Sequence, residues 1–422
     1  MNRFMENRSQ IDILALFLFG IIALLGVASV YSATYNQEAF NLLGGRSGKQ
    51  LMWLSVSVFL GIIIFLLNAN FFEVFSMYFY VLFVLLLVLV LFIGVDINGA
   101  RSWIKIGSFS IQPSEFAKYG TAFAVSSIIS RIGFSFQSRK DILKLLVLLM
   151  VPMGLIIIQG DMGSALVFLS FILVFYLEGL TPKILWIGIL SIVIFVLTLV
   201  FGASNLNIAI GILWIVFYAF TYTNKRLIIP SILIVSVAIL FSLSVQFLFN
   251  NVLKEHQQKR VQVTLNLIED NRGAGYNVNQ SKIAIGSGGF LGKGFLNGSH
   301  TKGNFIPEQE TDFIFCTIGE EGGWLFSSMT ILVYVAFILR LYHLSNRAKK
   351  KFKRIFISSL ASIMFFHVLV NIGMTIGIMP VIGIPLPLIS YGGSSILGFG
   401  LFIFTALKMD ATRDQDLESV FA

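Results

Sequence analysis

Charge is scarce in this chain. Asp, Glu, Lys and Arg make up only 12% of its 422 residues, against 56% hydrophobic and 14% aromatic residues, and the mean hydropathy is +0.86. A soluble domain cannot be covered with so little polar surface. Cysteine is almost missing too. The single Cys316 excludes an intrachain disulfide and a cysteine metal cluster, and reads as a small apolar core residue. No small-residue cleavage site follows the first apolar run, 11–32, which is longer than a signal-peptide core, so it reads as a retained span. The apolar runs do not alternate with polar residues, which excludes a closed β-barrel.

What the chain has instead is long apolar runs. Those at 74–95 and 227–249 hold no charged residue and are long enough as helices to cross the hydrocarbon core. The fold class is therefore an all-α polytopic integral membrane protein, read as a single membrane domain over 1–422. Twelve spans are expected, near 11–32, 50–67, 74–95, 114–130, 142–158, 162–178, 183–201, 206–221, 227–249, 312–340, 355–378 and 389–408. The pair at 183–221 contains a short segment that also fits a re-entrant stretch, and losing both members would leave ten spans with the same sidedness. One large extracytoplasmic loop, 250–311, separates the ninth and tenth spans. Lys and Arg of the short loops gather on the side of the N-terminus, seven of them within 340–354, which places both termini in the cytoplasm. This bias and attraction to anionic headgroups account for the net charge of +9, and nucleic-acid binding is not suggested. The cluster RAKKKFKR at 347–354 reads as a topology anchor.

Four stretches carry candidate chemistry. In 99–118, Arg101 and Lys105 flank Trp103, an arrangement suited to headgroup depth. Pro113 then opens a helix in which Glu115 and Lys118 share a face inside an apolar span. They are either a neutralising ion pair or part of an anion site. Asp161, between glycines in QGDMGSA, suits a helix cap. Residues 286–303 hold seven glycines, Lys293 and Lys302 but no acid, a composition that can turn amides and ammonium groups towards phosphate. They precede Glu308, Glu310 and Asp312, and TDFIF reads as a helix start with Asp312 in its first turn. Glu320 and Glu321 lie deeper, where each needs a partner or a wet cavity. The last stretch, 379–395, has three prolines in eight residues, so its backbone is irregular and must be buried in protein or line a cavity. On the preceding span, His367 and Asn371 lie one turn apart and suit a helix–helix hydrogen bond.

The segments QSKIAIGSGGFLGKG, IPEQETDFIF with GEEGG, RSWIKIG with SIQPSEFAK, QGDMGSALV and GIPLPLISYGGSS together resemble the SEDS family (shape, elongation, division, sporulation), closer in form to its RodA branch than to its FtsW branch. The similarity covers nearly the whole chain. It implies a peptidoglycan glycosyltransferase that polymerises lipid II into glycan strands during cell elongation and releases undecaprenyl pyrophosphate. The partners it implies are a class B penicillin-binding protein and other membrane proteins of the elongation complex, at the bacterial cytoplasmic membrane with the site facing outward. Asp312 matches the family's essential aspartate, the catalytic base. Substrate contacts are expected from Arg101, Trp103, Glu115, Lys118, Asp161, Gln280, Ser281, Lys282, Gly288, Gly289, Lys293, Glu308, Ser390, Tyr391 and Ser394. Arg101, Lys118, Lys293 or a divalent cation (Mg or Mn) would offset the charge of the departing pyrophosphate. Glu310 stands where the family usually has His, QGD replaces the commoner QPD, and 183–249 holds an extra pair of spans beyond the family's usual ten. A lipid-precursor flippase and a non-catalytic scaffold for a penicillin-binding protein are the competing readings. No repeated pair of broken segments favours the transporter, and buried carboxylates are costly for a mere scaffold.

Overall fold

The computed structural model describes residues 11–35, 45–97, 99–107, 109–251, 255–265, 267–268, 275–303 and 305–413. The tail residues Arg3 and Arg8 and parts of the expected loop 250–311 lie outside the described residues. In chain order the helices are α1 (Ile13–Thr34), α2 (Arg46–Leu66), α3 (Ala69–Val74), α4 (Ser76–Ile93), α5 (Pro113–Ile129), α6 (Arg139–Ile158), α7 (Met162–Val167), α8 (Phe171–Leu177), α9 (Lys183–Phe201), α10 (Ala203–Thr221), α11 (Lys225–Asn251), α12 (Glu255–Thr264), α13 (Tyr276–Ser287), α14 (Ser299–Lys302), α15 (Ile314–Arg347), α16 (Lys351–Thr375) and α17 (Gly393–Ala411).

Among the described residues, ten of these are long and apolar enough to cross a membrane: α1, α2, α4, α6, α9, α10, α11, α15, α16 and α17. The two other expected spans are helical but short. Helix α5 has 17 residues, because the chain before it is spent on strand, and the segment 162–178 is divided by a 3-10 turn, Phe168–Ser170, between α7 and α8. The expected loop 250–311 is partly helical, holding α12, α13 and α14.

The segment 95–111 contains a three-stranded antiparallel sheet: β1 (Val95–Ile97), β2 (Ala100–Ile106) and β3 (Phe109–Ile111), in the order β1-β2-β3. Val95 pairs with Trp103, and Lys105 with Ser110. The β-branched and aromatic residues of ARSWIKI favour strand. Gly99 and Gly107 supply the positive φ, +82° and +61°, that the two tight turns require.

The chain forms two compact units. The first holds Met1–Gly179, Gln280–Ile376 and Ile382–Ala422, and the second Leu180–Asn279 with Gly377–Val381. In the first unit α4 packs on α5, α15 on α16 and α1, and α17 on α2. Its centre is aromatic: Phe123 of α5 stacks 4.5 Å from Phe356 of α16, and Tyr119 meets Phe402 of α17 at 5.3 Å while its hydroxyl shares a 2.8 Å hydrogen bond with Thr405. In lipid such close packing and interhelical hydrogen bonds replace the hydrophobic effect as the source of association. At one end, Arg347 of α15 bridges Asp12 at 2.9 Å and Asp410 of α17 at 2.5 Å, and Arg340 also holds Asp12. The two ends of the described chain are thus tied on one side of this unit. Arg354 pairs with Glu178 at 2.7 Å and Lys353 caps Thr412, so much of the basic cluster at 347–354 is ion-paired or capping.

The second unit packs α11 against α9 and α10. Its side chains are apolar on nearly every face, with Trp186, Leu213 and Leu233 each more than 60% exposed, as suits helices whose solvent is lipid. Among the described residues few polar links join the helices: Thr198 to Ser242 at 3.2 Å, Trp214 Nε1 to Ser231 at 3.1 Å and the Ala203 amide to Gln246 at 2.9 Å.

Candidate active site

Asp312 lies in a turn just ahead of α15, whose first helical residue is Ile314. The sequence expectation of a place in the first helical turn is corrected by two residues. The turn forms because the Glu308 carbonyl accepts the amides of Thr311, Asp312 and Phe313 at 3.1–3.2 Å, with Glu308 itself at φ +57°. Asp312 is half-buried, while Phe313 and the first turns of α15 are buried.

Against this turn rests the proline-rich hinge between α16 and α17. The irregular backbone has few hydrogen bonds of its own, and side chains supply them. Ser390 donates to the Thr311 carbonyl at 2.5 Å and accepts the Leu386 amide, and the Tyr391 amide reaches the Glu310 carbonyl at 2.8 Å. Tyr334 donates to Pro387 O at 2.5 Å and Gln50 to Ile389 O at 3.1 Å. Asn371 donates both to Ile384 O at 2.7 Å and to the carbonyl of Asp312 itself at 2.8 Å. Gly383, at φ +78°, sits where an added Cβ would come within 3.3 Å of Asp312 Oδ2. Only glycine leaves the carboxylate this room and tolerates that backbone. Behind Gly383 stands Gly163 of α7, close enough that its own Cβ would meet the Ile382 carbonyl at 2.7 Å.

Asp161 caps α7, accepting Ser164 N at 3.0 Å, and its other oxygen takes Gln112 Nε2 at 2.8 Å. The Gln112 amide in turn donates to Ser394 Oγ at 2.9 Å. Asp161, Ser390, Tyr391 and Ser394 are therefore gathered around the hinge that touches Asp312.

The expected cations are engaged elsewhere in the protein. Arg101 caps the end of α4 through Gly94 O at 2.8 Å and Phe92 O at 3.0 Å, and Trp103 is half-buried in β2. Lys118, about 3% exposed, lies 2.8 Å from Glu115 Oε1 and 3.0 Å from His367 Nε2. Lys293 is 2.7 Å from Glu320 Oε1, a carboxylate that also accepts the amides of His300 and Thr301 and the Thr301 hydroxyl. Glu320 thus has the partners its depth demands, and Glu321 accepts Ser32 Oγ at 2.6 Å.

Several glycines of 286–303 have a packing reason. A Cβ at Gly288 would stand 2.1 Å from Gly319 O, and one at Gly292 2.0 Å from Glu321 O. The amides of Lys293 and Gly294 donate to the carbonyls of Glu320 and Glu321, and Gly289 O accepts Trp324 N. Helix α15 breaks at Gly323 (φ +65°) where this loop presses on it. Ser281 donates to Thr375 O at 2.9 Å, Gln280 is half-buried, Lys282 is exposed, and Glu308 holds the Thr311 hydroxyl.

The sequence reading passed over Arg46, at the start of α2, which forms an ion pair with Glu310 two residues before Asp312. An arginine at the mouth of an apolar run, among glycines, was the available signal. The pair gives Glu310, in a place where the family usually has His, a cation to balance it. Among the described residues no three His, Cys, Asp or Glu side chains converge to hold a metal ion. Among the described residues the expected divalent cation thus has no preformed cage of three such ligands.

Comparison with known proteins finds relatives along nearly the whole chain. The family profile of cell cycle proteins named for FtsW, RodA and SpoVE matches residues 10–207 and 201–412. The chain is similar to peptidoglycan glycosyltransferase MrdB of Escherichia coli strain K12, 32% identical over 387 residues that cover 90% of this chain and 91% of that protein. It is 30% identical over 436 residues to peptidoglycan glycosyltransferase RodA of Treponema pallidum, covering 96% and 98%. Its fold resembles a chain from a study of polymerization and crosslinking by a peptidoglycan synthase complex, with TM-score 0.73, 25% identity and 96% and 99% coverage. It also resembles the rod shape determining protein RodA of Thermus thermophilus, with TM-score 0.62, 23% identity and 96% and 97% coverage, a likeness of fold alone. With the profile spanning nearly every described residue, this chain belongs to the FtsW, RodA and SpoVE family of cell cycle proteins, the SEDS family whose motifs its sequence carries.

Proposed function

We propose that the protein is a peptidoglycan glycosyltransferase of the elongation type, which polymerises lipid II and releases undecaprenyl pyrophosphate. The observation that carries this reading is the half-buried Asp312 carboxylate, held at the mouth of α15 by a hinge with no regular structure and walled by Gly383. The 4-hydroxyl of the acceptor sugar attacks the anomeric carbon of the lipid-linked sugar, Asp312 takes the hydroxyl proton, and the bond to pyrophosphate breaks with its electron pair leaving on oxygen. Glycoside hydrolysis needs a second carboxylic acid for its leaving group. Pyrophosphate departs as an anion, so one base and nearby positive charge suffice. Arg46, paired with Glu310 two residues before Asp312, supplies that charge by exchanging Glu310 for the pyrophosphate, and Gln280, Lys282, Glu308 and Tyr391 complete the substrate surface, while the buried Ser390 and Ser394 hold the hinge behind it. Asp161 acts there by capping α7 behind the hinge.

Asp312 faces the exterior, both termini lie in the cytoplasm, and the chain crosses twelve times, with α5 and the divided α7–α8 segment as the short crossings. The Arg347 bridge between Asp12 and Asp410 supports an even number of crossings, because it holds both ends on one side. A class B penicillin-binding protein is the partner.

In a reconstituted assay on lipid II, wild-type protein with its partner produces glycan strands. Asp312→Asn lowers the rate about 100-fold or more, the scale of losing a general base, while partner binding persists. Near-wild-type activity would move the base role to Glu308 or Glu310. Translocation of lipid II without polymer would make the protein a flippase.

A further inference from the structure

His367 of α16 is 1% exposed, and the reaction above does not use it. Its Nε2 lies 3.0 Å from Lys118 Nζ and its Nδ1 3.0 Å from the Pro385 carbonyl. An ammonium can only donate, so Nε2 must accept. The ring is then neutral, with its proton on Nδ1 donated to Pro385 O. Lys118 is held for this task by Glu115 Oε1 at 2.8 Å and by the Phe399 ring 5.4 Å away, against which the imidazole also packs edge-on at 5.1 Å. One turn along the same face of α16, Asn371 grips Ile384 O and Asp312 O with a single amide nitrogen, and its Oδ1 has no partner among the described residues. The hinge residues next to Gly383 therefore hang from two side chains of one helix.

We propose that His367 is a positioning residue for the base. Lys118 fixes its tautomer, and the Nδ1 proton fixes the Pro385 carbonyl and so the Gly383 wall beside Asp312. The buried Glu115–Lys118 pair then serves the reaction by holding a hydrogen-bond donor in place rather than by meeting the pyrophosphate. A shift of about 1 Å at a reacting group can cost ~100-fold in rate, so the lever is large enough to matter. This inference rests on Asp312 being the base.

The test uses the full-length protein with its partner in the lipid II assay. His367→Asn keeps an N–H donor near the Nδ1 position, whereas His367→Gln places its amide near Nε2. His367→Ala should lower kcat by about 10–100-fold at unchanged KM. His367→Asn should restore most of that loss, and His367→Gln should not. Equal activity of the Asn and Gln variants, or a loss confined to KM, overturns the proposal. If His367→Ala fails to fold, the Asn and Gln contrast decides alone. Asp312→Asn in the same assay separates the two ideas: an active Asp312→Asn removes the base reading and this inference with it, whereas an inactive one beside a flat His367 series removes the inference only.

Discussion

At the scale of single residues, the buried ionic groups are where chemistry and stability meet. Glu115 and Lys118 are each under 5% exposed and pair at 2.8 Å in α5. Removing one partner of such a pair strands a charge in low dielectric, at a cost of about 3–5 kcal/mol, whereas replacing both leaves no stranded charge. Glu115→Gln alone should therefore lower the thermal midpoint in detergent sharply. The double variant Glu115→Gln with Lys118→Gln, whose amide can still donate to His367, should recover much of it. A double variant no more stable than the worse single one would show that the pairing is not what holds this site. The sequence placed both residues on one helical face, since i and i+3 spacing fixes that. It could not say that the third member of the group comes from 249 residues away, because helix spacing carries no information about which helix is a neighbour.

At the scale of elements, the glycine-rich segment 286–303 shows how one composition supports two readings. Glycines that can wrap phosphate can equally let two backbones touch, and here they touch: Gly288, Gly292 and Gly323 allow the loop to seat on α15 and break it. A methyl group at position 292 would collide with the Glu321 carbonyl and would also strain a backbone at φ +78°. Gly292→Ala should cost about 1–3 kcal/mol from overpacking, read as a lower thermal midpoint. Gly188→Ala, in mid-helix α9 with nothing within 4 Å of the new methyl, should be neutral or slightly stabilising. Equal behaviour of the two variants would mean that the close approach at 292 is not the constraint. The sheet at 95–111 was legible in the turn glycines and in the strand-forming ARSWIKI. It was missed because apolar residues bordering a membrane run invite a reading as interface rather than as strand.

At the scale of the whole molecule, sidedness is the quantity the proposed function requires, since it places the polymerisation of lipid II on the outer face. Asn297 is exposed, and the only cysteine, Cys316, is buried. Asn297→Cys should therefore react with a membrane-impermeant thiol reagent added to intact cells, over a silent background. Reaction only after permeabilisation would reverse the topology and put Asp312 on the wrong side for the proposed reaction.

Composition and hydropathy alone determined the membrane class, because a chain with 12% charged residues has no other solvent in which to fold. Run length located ten helices long enough to span, since crossing the hydrocarbon core demands a minimum number of apolar residues, while α5 and the divided α7–α8 segment came out shorter than expected. The motifs singled out Asp312 as a carboxylate at a helix mouth. What only the tertiary structure decided is which groups are spoken for. It committed Arg101 to helix capping, Lys118 to His367 and Glu115, and Lys293 to Glu320, and it brought Arg46 to Glu310. The physical reason is that a side chain's partners are set by which backbones approach one another. In this protein those approaches run through Gly163, Gly288, Gly292 and Gly383, which pack by having no side chain and so leave no periodic trace in the sequence.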